Sequence, residues 1–188
     1  FVIESRVNAL IDNENLESSS LQLGLYLASW GMYRGSTDLL QRSARVFEPI
    51  LEYLVNLDSS LWTLDVPAYT RDSTKSLMDS YDGLATVLQR RSISPTPTLR
   101  TKILLGTLGS LPAFDELFSR GTGMWRPTAN SLMRLKSFYE AHKSMLDGHE
   151  IPCINFHAGS ESVAMYTTAK KLDMIFFQRG LESGRQSK

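Results

Sequence analysis

The sequence predicts an all-α fold, and three observations carry that prediction. Apolar side chains return every three or four positions along most of the 188 residues, the spacing that lines one face of a helix. Serine, threonine and aspartate stand ahead of these runs, and glycine or proline stands beyond them, where helices start and stop. A single segment, Ile151-Pro152-Cys153-Ile154-Asn155-Phe156, reads partly as a strand, and its proline has no N–H for a ladder. The expectation is a single compact multi-helix domain of about seven to nine helices, some short or kinked. It spans residues 1–183, with 184–188 as a flexible C-terminal tail.

Each element has its own justification. Ile3, Val7, Leu10 and Ile11 form a first stripe. Ser18-Ser19-Ser20 offers capping oxygens for a second helix, whose Leu21, Leu23, Leu25, Tyr26, Leu27 and Trp30 are apolar nearly all round and predict deep burial. Gly31 and Gly35 stop it, and Ser36-Thr37-Asp38 starts the next, with Leu39 and Leu40. Pro49 removes a backbone bond and predicts a kink or restart near Phe47, ahead of Ile50, Leu51, Leu54, Val55 and Leu57. Asp58-Ser59-Ser60 and Val66-Pro67 bracket a turn-rich connection.

Thr70 or Asp72 caps a helix that buries Leu77, Met78, Tyr81, Leu84, Ala85 and Leu88, with Arg90 and Arg91 at its dipole-negative end. Thr96-Pro97 opens another, running to about Leu111 and ended by Pro112. Its Gly106 and Gly109 predict a neighbouring backbone packed close. A short helix holds Phe114, Leu117 and Phe118, and Gly121-Thr122-Gly123 breaks the chain. Pro127-Thr128 starts a helix through Leu132, Leu135, Phe138, Tyr139 and Met145 that Asp147-Gly148 closes. Ser160 caps a last helix with Val163, Tyr166, Ala169, Leu172 and Phe176, ended by Gly180.

Composition narrows the function classes. Twenty Lys+Arg balance 20 Asp+Glu, and 42% of residues are hydrophobic, which excludes disorder as the dominant state. One cysteine excludes a disulfide scaffold. Zero net charge disfavours nucleic acid as a partner without removing a local basic face. The longest apolar runs, Leu23–Tyr33 and Ile103–Phe114, fall short of the ~20 residues of a membrane span. No basic-then-apolar targeting segment opens the chain, so a soluble, cytoplasmic protein is expected.

Candidate site residues are few. His149, Cys153 and His157 have the spacing H-x3-C-x3-H, but Pro152 interrupts the helix that would stack them, and no metal or other cofactor is expected. Cys153 beside these histidines reads either as a thiol nucleophile or as a buried, inert side chain. Ser160 lies close to His157 without the G-x-S-x-G elbow, and a helix cap explains it. Gly121-Thr122-Gly123 is neither a Walker nor a dinucleotide pattern. Trp30, Tyr33 and Arg34, flanked by Gly31 and Gly35, offer a surface to stack a ligand ring or base. The plainer reading makes Trp30 core, Tyr33 its shield and Arg34 a neutraliser of the helix end.

Thr101-Lys102 opening an apolar helix, followed by Leu111-Pro112-Ala113-Phe114-Asp115, resembles the lysine and aspartate of helix–hairpin–helix DNA glycosylases. That resemblance covers about 15 residues and implies Lys102 as an amine nucleophile with Asp115 as the carboxylate at the pocket mouth. Where the family's hairpin carries a G-x-G turn, Ser94 to Arg100 has no glycine. A surface lysine in a first helical turn and a capping aspartate account for the same residues. The segments Leu27 to Ser36 and Thr101 to Gly109 also resemble a group of uncharacterised bacterial proteins, which implies a bacterial setting and no particular activity. The expected function is a helical binding or interaction domain for a protein or small-molecule partner, with self-association open. The alternative is the nucleic-acid enzyme built on Lys102 and Asp115.

Overall fold

A computed structural model of the chain describes residues 15–34, 38–154 and 159–186. The stripe from Ile3 to Ile11, the start signal at Ser36-Thr37, and His157 lie outside them. Helix α1 (Leu16–Ser29) begins at Asn15, so the three serines sit inside its first turns rather than capping it. It is not buried all round. Leu23 and Leu27 are fully buried, whereas Leu21 and Leu25 are 54% and 73% exposed. Gly31 ends the helix with φ +70°, a conformation that a side chain would strain.

Asp38 to Gln41 form turns, not the expected helix. A 3₁₀ turn at Ala44–Phe47 leads into α2 (Glu48–Val55), and Pro49 sits in its first turn, where a missing N–H costs nothing. Two further 3₁₀ turns at Ser59–Trp62 and Val66–Ala68 fill the connection to α3 (Arg71–Arg90). Thr70 and Ser73 close a capping box at its start. Leu77, Tyr81, Leu84 and Leu88 form its buried stripe, while Met78 and Ala85 are half-buried.

Helix α4 (Pro97–Thr107) starts at the expected Thr96 cap but stops earlier than Pro112, because Gly109 turns left-handed at φ +67°. Helices α5 (Glu116–Thr122) and α6 (Ala129–Ala141) follow, capped by Asp115 and Thr128. Gly121 belongs to α5 and only Gly123 terminates it. The helix after Thr128 breaks at His142, leaving α7 (Lys143–Asp147) as a separate turn.

The largest departure follows. Strands β1 (Pro152–Ile154) and β2 (Glu161–Met165) form a small antiparallel hairpin, with Pro152 opposite Met165. The region after Ser160 is therefore strand, and the last helix, α8, runs only from Thr168 to Gln186. It continues through Gly180 and Gly184 because the first of these glycines packs against α5 instead of ending the helix. A Cβ on Gly180 would lie 1.9 Å from the Leu117 carbonyl oxygen, and one on Gly121 would lie 2.0 Å from that of Phe176.

Phe47, Ile50, Leu54, Leu77, Leu84, Ile103, Phe118, Leu132 and Leu172 share one core, so the helices form a single compact all-α domain with a minimal sheet attached. No helix among the described residues is long and apolar enough to cross a membrane.

Candidate functional site

Helical spacing builds the site. Tyr26 and Trp30 stand one turn apart on α1, and Lys102 and Gly106 stand one turn apart on α4, so each pair shares a face. The two faces meet. The Tyr26 ring fills the space that a side chain at Gly106 would take, 2.2 Å from its ideal Cβ. It is thus a side chain, not the expected backbone, that packs close at this glycine. The Lys102 ammonium donates to the Trp30 carbonyl at 3.3 Å and lies 5.1 Å from the indole ring.

Asp115 completes the first ion pair. Its Oδ2 is 3.5 Å from Lys102 Nζ, while its Oδ1 accepts the Phe118 N–H and caps α5. The residue is thus both cap and counter-ion. Lys102 is only 5% exposed, so it is not the surface lysine that its place in the sequence suggested. From α8 comes a second pair, again one turn apart: Lys170 Nζ and Asp173 Oδ2 at 3.0 Å. Asp173 Oδ1 accepts the Ala113 N–H at 2.9 Å, and Lys170 lies 4.1 Å from the Trp30 ring. Trp30 is therefore engaged by two ammonium groups, each held by its own carboxylate.

Burial dominates the electrostatics. It pushes Lys102 below the usual lysine range, against the opposing pull of Asp115. It pushes Asp173 above the usual carboxylate range, against the charge of Lys170. The Tyr26 phenol is also raised, chiefly by burial and then by the charge of Asp173. The Trp30 ring meets Tyr26 edge-on, 6.2 Å between centroids, and no partner lies within hydrogen-bond geometry of the Tyr26 hydroxyl.

A cavity of about 220 Å³ opens beside the cluster, between the C-terminal end of α4, the hairpin and the start of α8. Tyr26, Gly106, Cys153, Tyr166, Thr167 and Lys170 line it. Its wall is fixed by Thr167, whose hydroxyl donates to the Gly109 carbonyl and accepts the Lys170 N–H. The first N–H groups of α8, at Thr168 and Ala169, are already taken by the Asp65 carboxylate, so the helix end itself offers nothing to a ligand. Lys170 is the one charged side chain on the cavity wall among the described residues.

The structure brings Trp30, Lys102 and Asp115 together, and does not bring Tyr33 or Arg34 to them. The Tyr33 hydroxyl packs near Gly24, and the exposed Arg34 guanidinium folds over Gly31. His142 and His149 are exposed and bond to the Phe138 and Met145 carbonyls. No group of three or more metal-ligating side chains occurs among the described residues, and Cys153 lies on a strand. Sequence reasoning missed Tyr26, Lys170 and Asp173. Two signals for them existed: Lys170 and Asp173 have ion-pair spacing on a helix, and Tyr26 precedes Trp30 by one turn. No family model, no curated protein and no solved structure matches the chain.

Proposed function

We propose that the protein is a binding domain of the bacterial cytoplasm whose small-molecule ligand occupies the cavity beside Lys170 and Tyr26. The observation that carries this reading is a cavity whose one charged wall residue among the described residues is Lys170, with the Tyr26 and Thr167 side chains beside it. Lys170 already donates to Asp173 at 3.0 Å, but an ammonium has three N–H groups, so a ligand with acceptor oxygens can share it. The other walls combine Leu105, Leu108 and two tyrosines with Thr107, Thr167 and Cys153, and the volume is small. A short aliphatic or aromatic carboxylate satisfies both.

Calorimetric titration with benzoate and short-chain carboxylates, against amines of the same shape, tests it. Saturable binding of carboxylates alone is expected. Lys170→Met should weaken it about tenfold or more, the worth of one charge-assisted hydrogen bond. Flat titrations for every acid would remove the proposal.

A second reading rests on Lys102. An amine held below its usual range by burial, 3.5 Å from a carboxylate, has the chemistry of a nucleophile, in line with the glycosylase resemblance. Borohydride reduction in the presence of abasic DNA should then trap an adduct that Lys102→Met abolishes. Absence of an adduct together with absence of salt-dependent DNA binding removes this reading.

A further inference from the structure

Further along α8 lies a second concavity, of about 420 Å³, that shares no lining residue with the first. Its floor is Leu146, Ile151 and Ile175, and its lips are Met145 and Met174, which are 48% and 43% exposed. Its two fully charged lining residues, Lys171 and Arg179, are both cations. They share a helix face with Ile175, at intervals of four residues, so a positive group stands at each end of an apolar trough about 12 Å long.

These cations differ in their commitments. Lys171 donates to the Leu146 and His149 carbonyls and ties the end of α7 to α8. The guanidinium carbon of the exposed Arg179 lies 5.3 Å from the ring centroids of Phe138 and Phe176, with no carboxylate at ion-pair distance among the described residues. An exposed guanidinium without a carboxylate partner keeps its planar fork of N–H donors for an incoming carboxylate.

We propose that this trough binds a single-chain amphiphile with an anionic head, its alkyl tail lying along Leu146, Ile151 and Ile175 and its carboxylate on Arg179. Three features favour this occupant. The volume falls within the ~300–1,000 Å³ of small-molecule sites. The wall offers apolar contact along its length and positive charge only at its ends. The exposed apolar groups at its rim are two methionines, far less than the ~800 Å² per side that a stable protein interface buries. Methionine lips also adapt to chains of differing length.

The 188-residue chain, labelled at its methionine methyl groups, provides the test. Titration with octanoate, nonanoate and decanoate below their micellar concentrations should shift the Met145 and Met174 signals, with affinity rising about fourfold for each added methylene. Decylamine should bind at least tenfold more weakly than decanoate. Arg179→Glu should invert that preference. Because Arg179 also covers two phenylalanines, Met145→Glu serves as a second variant: it alters an exposed lip and should weaken decanoate selectively. Equal binding of amine and acid, or an affinity indifferent to chain length, would overturn the proposal. So would shifts of the same methyl signals on raising protein concentration alone, which would assign the trough to a second copy of the chain.

Discussion

Helix α8 meets its neighbours in two opposite ways within about two turns. Around Asp173 it meets Trp30 at the end of α1 and Ala113 in the connection after α4, beside the Lys102–Asp115 pair, and each buried charge has a partner that can rotate, shift or change protonation. Around Gly180 it touches α5 with its bare backbone, and the two helices lie so close that neither has room for a methyl group. One junction is specified by chemistry and the other by the absence of side chains. The charged junction therefore has several ways to relax, and the glycine crossing has none.

The harshest way to break this comparison is Gly180→Ala. An added Cβ would sit 1.9 Å from the Leu117 oxygen and 2.7 Å from its carbonyl carbon, so α5 itself must move. In an unhindered helix the same change stabilises by about 1 kcal/mol; here a loss of about 4 kcal/mol or more is expected. Gly121→Ala should behave alike. The double variant should lose less than the sum, because one separation of α5 from α8 relieves both clashes. Urea unfolding of the single and double variants measures this.

Removing one charge at the other junction should cost somewhat less. Lys102→Met leaves Asp115, whose side chain is 14% exposed, without its counter-ion, and about 3 kcal/mol of destabilisation is expected. Adding Asp115→Asn should recover part of it, since asparagine still caps α5 and carries no charge. No second substitution of that kind exists for Gly180→Ala. Recovery at one junction and its absence at the other is the contrast to be measured.

Proton linkage sharpens the difference further. Burial lowers Lys102, so the unfolded chain holds that proton more tightly, and stability rises with pH through the window that ends at the unfolded value of 10.5. Burial raises Asp173, so the folded chain holds that proton more tightly, and stability falls as pH rises through the window that begins at 3.8. Lys102→Met should flatten the alkaline slope. The loss caused by Gly180→Ala should be the same at every pH, because no titrating group meets that clash. Denaturation curves collected across both windows separate the two behaviours.

The same contrast governs what the sequence discloses. The stripe of α3 and the Thr96-Pro97 start are local, so residues within one turn of each other suffice to place them. Lys102 and Asp115 were paired only through the glycosylase resemblance, while local signals gave the cap at Asp115 and misread Lys102 as a surface residue. Gly121 and Gly180 read as breakers, since local propensity records only what glycine costs a helix and not which backbone needs the space. Leu21 and Leu25 read as core because an apolar run carries no statement of which side is covered. The first strand of the hairpin was half-legible despite Pro152, but Ser160 ahead of Val163 and Tyr166 read as a helix cap and hid the second, because a strand is fixed by a partner that local spacing does not name.

Gly106→Ala tests whether the charged side yields where the glycine crossing does not. The obstructing atom is a Tyr26 ring carbon at 2.2 Å, on a half-buried side chain with a cavity beside it. The ring can swing aside. A loss of about 1–2 kcal/mol is expected, from overpacking partly offset by better helix propensity, and carboxylate binding in the cavity should fall with it.

The smallest effect belongs to Thr167→Val. Its hydroxyl accepts the Lys170 N–H and donates to the Gly109 carbonyl, joining the start of α8 to the end of α4. Loss of a capping hydroxyl ordinarily costs about 1 kcal/mol. Asp65 still receives the N–H groups of Thr168 and Ala169, so the helix keeps most of its cap and the loss should stay at or below that figure. Hydrogen exchange should then quicken at Lys170 and remain unchanged around Gly180, since the crossing with α5 does not depend on how α8 begins. Faster exchange at both places would mean that the two junctions open together, and the division between them would fail.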